Sequence, residues 1–101
     1  MTFKKAANVA DIPSGQVRVV EVGEEEIALC NVGGKFFAIA NLCTHDEGPL
    51  GQGEVMDHQV ECPRHGARFD VRSGQVKALP AVRPIPTYEV KVEGGEVFVD
   101  V

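Results

Sequence analysis

Apolar and polar positions alternate along this chain in short runs, each cut off by glycine or proline. The β-rich runs are residues 16–22, 27–32, 35–40, 68–71, 87–93 and 96–101. A period of two places alternate side chains on opposite faces of an extended chain, so these runs predict strands. The clearest pair lies at the end. Tyr88, Val90 and Val92 alternate with polar residues, Gly94-Gly95 follow, and Val97, Val99 and Val101 alternate again. Two glycines between alternating strands fit a primed turn, which needs positive φ. Gly33-Gly34, between Val32 and Lys35, reads the same way. No window of a dozen residues carries apolar residues at helical spacing without a breaker. The pattern predicts an all-β, antiparallel domain.

The texture changes between residues 42 and 67. There the alternation weakens and glycine and proline cluster. The expectation is a loop-rich insertion, approximately 42–67, carried by a β scaffold formed from the two ends of a single domain spanning 1–101. Phe36 and Phe37 adjoin on one strand, so one is expected in the core and the other facing outward or against the insertion.

Composition narrows the class. A 44% hydrophobic and 25% charged chain is a soluble globular protein, not a disordered, collagen-like or coiled-coil one. The longest apolar runs, Ile27-Ala28-Leu29-Cys30 and Phe36-Phe37-Ala38-Ile39-Ala40, are far too short to span a membrane. Met1-Thr2-Phe3-Lys4-Lys5 lacks the apolar run of a secretory signal, so a cytoplasmic protein is expected. A net charge of −5 argues against nucleic acid as a partner. The charges are unevenly placed. Asp46, Glu47, Glu54, Asp57 and Glu61 are followed by Arg64, Arg68, Arg72, Lys77 and Arg83, with only Asp70 among them. Two readings stand: an internally compensated surface, or a dipolar face that orients a protein partner.

The chemistry concentrates in the same stretch. Cys43-Thr44-His45 and Cys62-Pro63-Arg64-His65 are two Cys/His pairs, with sixteen residues between His45 and Cys62. Three cysteines are an odd number, so metal ligation or reduced thiols outrank a disulfide framework. Thiolate sulfur and neutral imidazole both bind iron and zinc, and two turns that each bring two ligands make a four-ligand site. Spacing alone leaves a structural zinc open, which would make the chain a redox-silent interaction module. A Cys/His nucleophile would leave the second pair unexplained. Cys30 lies in an apolar run and reads as a small core residue, with a reactive thiol the alternative. His58 reads as an exposed loop histidine, with an additional ligand the alternative.

These pairs, with Gly66 after the second, resemble the Rieske signature, C-x-H followed by C-x-x-H-G. The resemblance extends to the 10–15 turn, Leu50, Gly53, Phe69-Asp70, Leu79-Pro80-Ala81 and the closing 87–101 hairpin. It is closest to the small ferredoxins of bacterial aromatic-ring-hydroxylating dioxygenase systems. It implies a Rieske-like β sandwich or barrel base, and one 2Fe–2S cluster with Cys43 and Cys62 on one iron and His45 and His65 on the other. It also implies a monomeric one-electron carrier with no substrate turnover of its own. Its transient partners would be a flavoprotein reductase oxidising NADH or NADPH and a terminal oxygenase. The histidine-bound iron would lie nearest solvent, with Asp46, Glu47 and Arg64 at the contact surface. Pro80-Ala81 reads as a plain turn or, by the resemblance, as a third loop that shields the cluster.

Within the family, a chain ending at Val101 is expected to lack the catalytic domain of the large oxygenase subunits. Gly48 and Arg64 stand where respiratory Rieske proteins resemble one another in a cysteine pair, so that disulfide cannot form. Ala67 and Phe69 stand where high-potential members carry serine and tyrosine hydroxyls, which implies a potential low in the Rieske range. The small subunit of an assimilatory nitrite reductase shares the implied fold and remains the alternative.

Overall fold

The computed structural model describes residues 2–42, 55–62, 66–79 and 83–101. In chain order its strands are β1 (Phe3–Asn8), β2 (Val17–Val22), β3 (Glu25–Val32), β4 (Lys35–Ala40), β5 (Val55–Met56), β6 (Gln59–Glu61), β7 (Arg68–Asp70), β8 (Val76–Ala78), β9 (Thr87–Tyr88), β10 (Val90–Glu93) and β11 (Glu96–Asp100). One 3-10 turn, Val9–Asp11, follows β1. The strands form three sheets in the orders β1-β11-β10, β2-β3-β4-β9 and β5-β6-β7-β8. Every pairing among the described residues is antiparallel, as the alternation predicts.

The sheet β2-β3-β4-β9 is central because it is apolar on both faces. On one face Ile27, Leu29, Phe36 and Ala38 pack with Val97 and Val99 of β11. On the other, Ala28, Cys30 and Ile39 pack with Val60, Phe69 and Val71 of the β5–β8 region. A strand covered on both sides gains nothing from polar residues on either, which accounts for the unbroken Ile27-Ala28-Leu29-Cys30 run. Phe36 goes to the first core and Phe37 leans against the second, so the neighbouring phenylalanines serve opposite faces of β4.

Both Gly-Gly pairs are two-residue hairpin turns. Val32 pairs with Lys35 around Gly33 (φ 60°) and Gly34 (φ 93°), and Glu93 pairs with Glu96 around Gly94 (φ 56°) and Gly95 (φ 77°). The first turn is stitched to the segment before β2. Asn31, buried, donates through Nδ2 to the Ile12 carbonyl at 2.7 Å, and its Oδ1 accepts the Gly34 N–H at 2.8 Å. The Ser14 hydroxyl accepts the Gly33 N–H at 3.0 Å.

The expected single strand at 87–93 is two strands. Thr87 and Tyr88 pair with β4, the Glu89 carbonyl accepts the Asp100 N–H at 3.0 Å, and Val90 onward pairs with β11. One alternating run thus changes sheets halfway. Within 42–67, β5 and β6 pair with each other and, through β6, with β7, so the described part of this stretch carries regular pairing as well as loops.

Candidate metal centre

Cys62 follows β6 directly. Val60 points into the second core, Glu61 outward, and Cys62 inward again, as the pleat requires. The Cys62 N–H donates to the Ala67 carbonyl at 2.7 Å, and the Gly66 N–H donates to the Cys62 carbonyl at 3.1 Å. This reciprocal pair pins both feet of the loop carrying the second Cys/His pair. The thiol is free and fully buried, among Val60, Ala67 and Phe69. Cys43, His45 and His65 lie outside the described residues, as do Asp46, Glu47, Arg64 and Pro80-Ala81.

The strand that leaves this loop, β7, is braced from below. The carboxylate of Asp70, 5% exposed, takes a two-pronged contact from Arg72, with Nε to Oδ1 at 3.1 Å and Nη2 to Oδ2 at 2.8 Å. Oδ1 also accepts the Arg72 N–H at 2.8 Å. The hydrogen bonds from the Arg72 side chain hold the Asp70 carboxyl down at about 2, against the opposing effect of burial. The turn then closes with the Gly74 N–H on the Asp70 carbonyl at 2.7 Å, and the Ile85 N–H on the Gly74 carbonyl at 2.9 Å. Gly74 has φ +79°, and a Cβ there would collide with the Ile85 carbonyl oxygen, so the segments meet backbone to backbone. Nothing in the local pattern around Gly74 marks this close approach.

Cys30 is a core residue, as the apolar run implies. It is fully buried in the core that also holds Cys62, and burial pushes its thiol up to about 12, leaving it a neutral, inert group. His58 is half-buried rather than exposed, with its ring edge-on to Phe37. Of the uneven charges, Arg68 pairs with Glu61 at 3.1 Å and Arg72 with Asp70, so at these two bases the compensated reading holds.

The described part of the site suits an iron–sulfur cluster by its chemistry. A free cysteine sulfur is presented in an apolar, water-excluding wall at the foot of a pinned loop, and soft sulfur ligands favour such clusters. Among the described residues no group of three or more histidine, cysteine or acidic side chains offers another metal site.

Comparison with known proteins agrees. The model of the Rieske [2Fe-2S] domain matches residues 2–89. The chain is 44% identical over 100 residues to the ferredoxin component of biphenyl 2,3-dioxygenase from Rhodococcus jostii, covering 99% of this chain and 94% of that one. Among solved structures it superposes on the ferredoxin of carbazole 1,9a-dioxygenase from Nocardioides aromaticivorans with a TM-score of 0.93 at 36% identity, covering 98% of this chain and 97% of that one. A complex of oxygenase and ferredoxin in carbazole 1,9a-dioxygenase also matches, with a TM-score of 0.89 at 35% identity over 96% of this chain and 91% of that one. A nitrite reductase small subunit from Mycobacterium tuberculosis, 21% identical with a TM-score of 0.87 over 97% of this chain and 93% of that one, shares the fold.

Proposed function

The chain belongs to the Rieske 2Fe–2S family, and we propose that it is the ferredoxin component of an aromatic-ring dioxygenase system, a one-electron carrier. In this reading it takes electrons from a flavoprotein that oxidises NADH or NADPH and delivers them to a terminal oxygenase, working in the cytoplasm as a monomer. The observation that carries it is the end-to-end likeness to dioxygenase ferredoxins, at about twice the identity of the nitrite reductase match. No helix among the described residues is long and apolar enough to cross a membrane.

Cys43 and Cys62 would hold one iron and His45 and His65 the other. With neutral histidines, two ferric ions, two sulfides and two thiolates sum to zero charge, so the bound cluster accepts one electron more readily than an all-cysteine one. The protein's own part is to position and to exclude. Cys62 is held at a fixed point by the two hydrogen bonds at its loop's feet, and Val60, Ala67 and Phe69 keep water from its sulfur. Cys30, buried and neutral, stays out of the chemistry.

The test is reconstitution. Purified protein mixed with a dioxygenase reductase, a terminal oxygenase and an aromatic hydrocarbon should couple NADH or NADPH oxidation to ring hydroxylation, and omitting it should abolish the coupling. Electron delivery to a sirohaem nitrite reductase but to no oxygenase would overturn the reading. A colourless protein containing zinc would overturn the cluster itself.

A further inference from the structure

We propose that His58 is a positioning residue whose ring, set against Phe37, holds the β5–β6 hairpin on the central sheet and so fixes where Cys62 stands. The role rests on the reading that Cys62 binds iron.

The starting observation is an unusual backbone. Among the described residues only two non-glycine residues have left-handed φ, Asp57 (53°) and His58 (62°), and they are neighbours. They form the two-residue turn between β5 and β6, where Met56 pairs with Gln59. A primed turn suits the twist of a tight hairpin, but glycine or asparagine adopts it with less strain than a histidine does. Among the described residues, the other two-residue hairpin turns place glycine where φ is positive: Gly-Gly at 33–34 and 94–95, and Gly23 in the 23–24 turn between Val22 and Glu25. A strained backbone persists where its surroundings hold it, and here two contacts do so.

The first is the ring. The His58 imidazole meets Phe37 of β4 edge to face, with centroids 6.0 Å apart and planes at 79°. That is a favourable aromatic arrangement. Glycine could make the turn but not this contact. The second is the carbonyl of His58, which accepts the Val71 N–H at 2.9 Å and extends the β6–β7 ladder by one rung. The turn is therefore tied to the central sheet by a side chain and to β7 by its backbone.

What lies downstream makes this a positioning device. From His58 the chain runs through the three residues of β6 straight to Cys62, about 13 Å away at strand rise. β6 is only three residues long between β5 and β7, and its Cys62 end is pinned at the loop's feet, so the turn at His58 anchors the other end of the strand that carries the sulfur. Phe37 projects from the wall against which that hairpin leans.

The experiment uses the holoprotein and two readouts, the linewidth of the electron paramagnetic resonance signal of the reduced cluster and the rate of iron loss to a chelator. His58→Asn keeps the left-handed turn and removes the ring. It should broaden the signal and speed iron loss by about fivefold, the factor an aromatic pair corresponds to. Phe37→Leu should do the same, and the double variant should be no worse than either single, because both remove one contact. His58→Phe keeps a ring and should restore the wild-type linewidth. A His58→Asn protein with wild-type linewidth and iron loss, or additive effects in the double variant, would overturn the role. A wild-type protein that binds no iron would overturn the proposed function and this role together, whereas an iron-loaded wild type with an indifferent His58→Asn overturns this role alone.

Discussion

The two ends of the molecule are built on different terms. The base, sheets β1-β11-β10 and β2-β3-β4-β9, uses mostly four- to eight-residue strands, tight glycine turns and a core of Ile12, Val22, Ile27, Leu29, Phe36, Val97 and Val99. The sheet β5-β6-β7-β8 uses strands of two or three residues. Its core side chains, Val60, Cys62, Phe69 and Val71, complete a hydrophobic core only by leaning on Ala28, Cys30 and Ile39 of the central sheet. Short strands have few ladder bonds and little area of their own. The base thus closes one core from its own strands and shares the other, while β5–β8 closes none without the base and, in the proposed function, depends on the metal as well.

The largest expected effect separates the two directly. Cys62→Ser, or stripping the iron, should remove the hydrogen-exchange protection of the Val60 and Phe69 amides by at least about two orders of magnitude, because metal binding couples to local folding. Amides of β3 and β11 should keep most of theirs. Equal loss at both ends would show one cooperative unit and break the comparison. Cys30→Ser should leave the visible spectrum unchanged.

Next in size is Gly74→Ala, which drives a Cβ into the Ile85 carbonyl at a left-handed φ. Urea unfolding should register a loss of about 3 kcal/mol or more. Gly34→Ala in the base has the same sign of φ but no atom within 4 Å of the added carbon, and should lose only about 1–2 kcal/mol. Similar losses would mean that backbone conformation, not close approach, dominates at Gly74.

A smaller effect depends on pH. The folded protein holds the Asp70 carboxyl at about 2, below its ordinary 3.8, so folding favours the ionised form. Its contribution is fully present above about pH 4 and fades as pH falls toward 2. With Arg72 half-exposed, screening leaves about 1 kcal/mol. Asp70→Asn should lower stability at pH 7 and flatten the acid limb of the stability curve between pH 4 and 2. An unchanged acid limb would remove Asp70 from the bracing of β7.

The smallest effect concerns the cluster alone. Ala67 is fully buried and its carbonyl accepts from Cys62, so a hydroxyl added there sits beside the loop's foot. A donor to a cluster sulfur worth about 1 kcal/mol raises a one-electron potential by roughly 40 mV. Ala67→Ser should shift the voltammetric midpoint upward by that order. No shift would mean the hydroxyl turns away from the sulfur.

Legibility followed the same divide. The hairpins at 33–34 and 94–95 and the split of Phe36 from Phe37 were readable, because two-sided burial and paired glycines leave marks at single positions. β1 was not, since Phe3-Lys4-Lys5-Ala6-Ala7-Asn8 does not alternate; a largely exposed strand, it is held by its ladder to β11 through a bulge. β5, β6 and β8 are too short to show any period. His58 carried no signal at all, because its role lies in a ring 21 positions away in the chain.

The sequence by itself determined the all-β class, the primed glycine turns and the family, because period, turn chemistry and ligand spacing are local properties written in residue order. Only the tertiary structure decided that β3 and β4 divide two cores, that the run at 87–93 changes sheets at Glu89, that Gly74 admits no side chain, and that His58 rests on Phe37. Each of these joins residues distant along the chain, and such contacts are set by how the sheets stack, which no local pattern encodes.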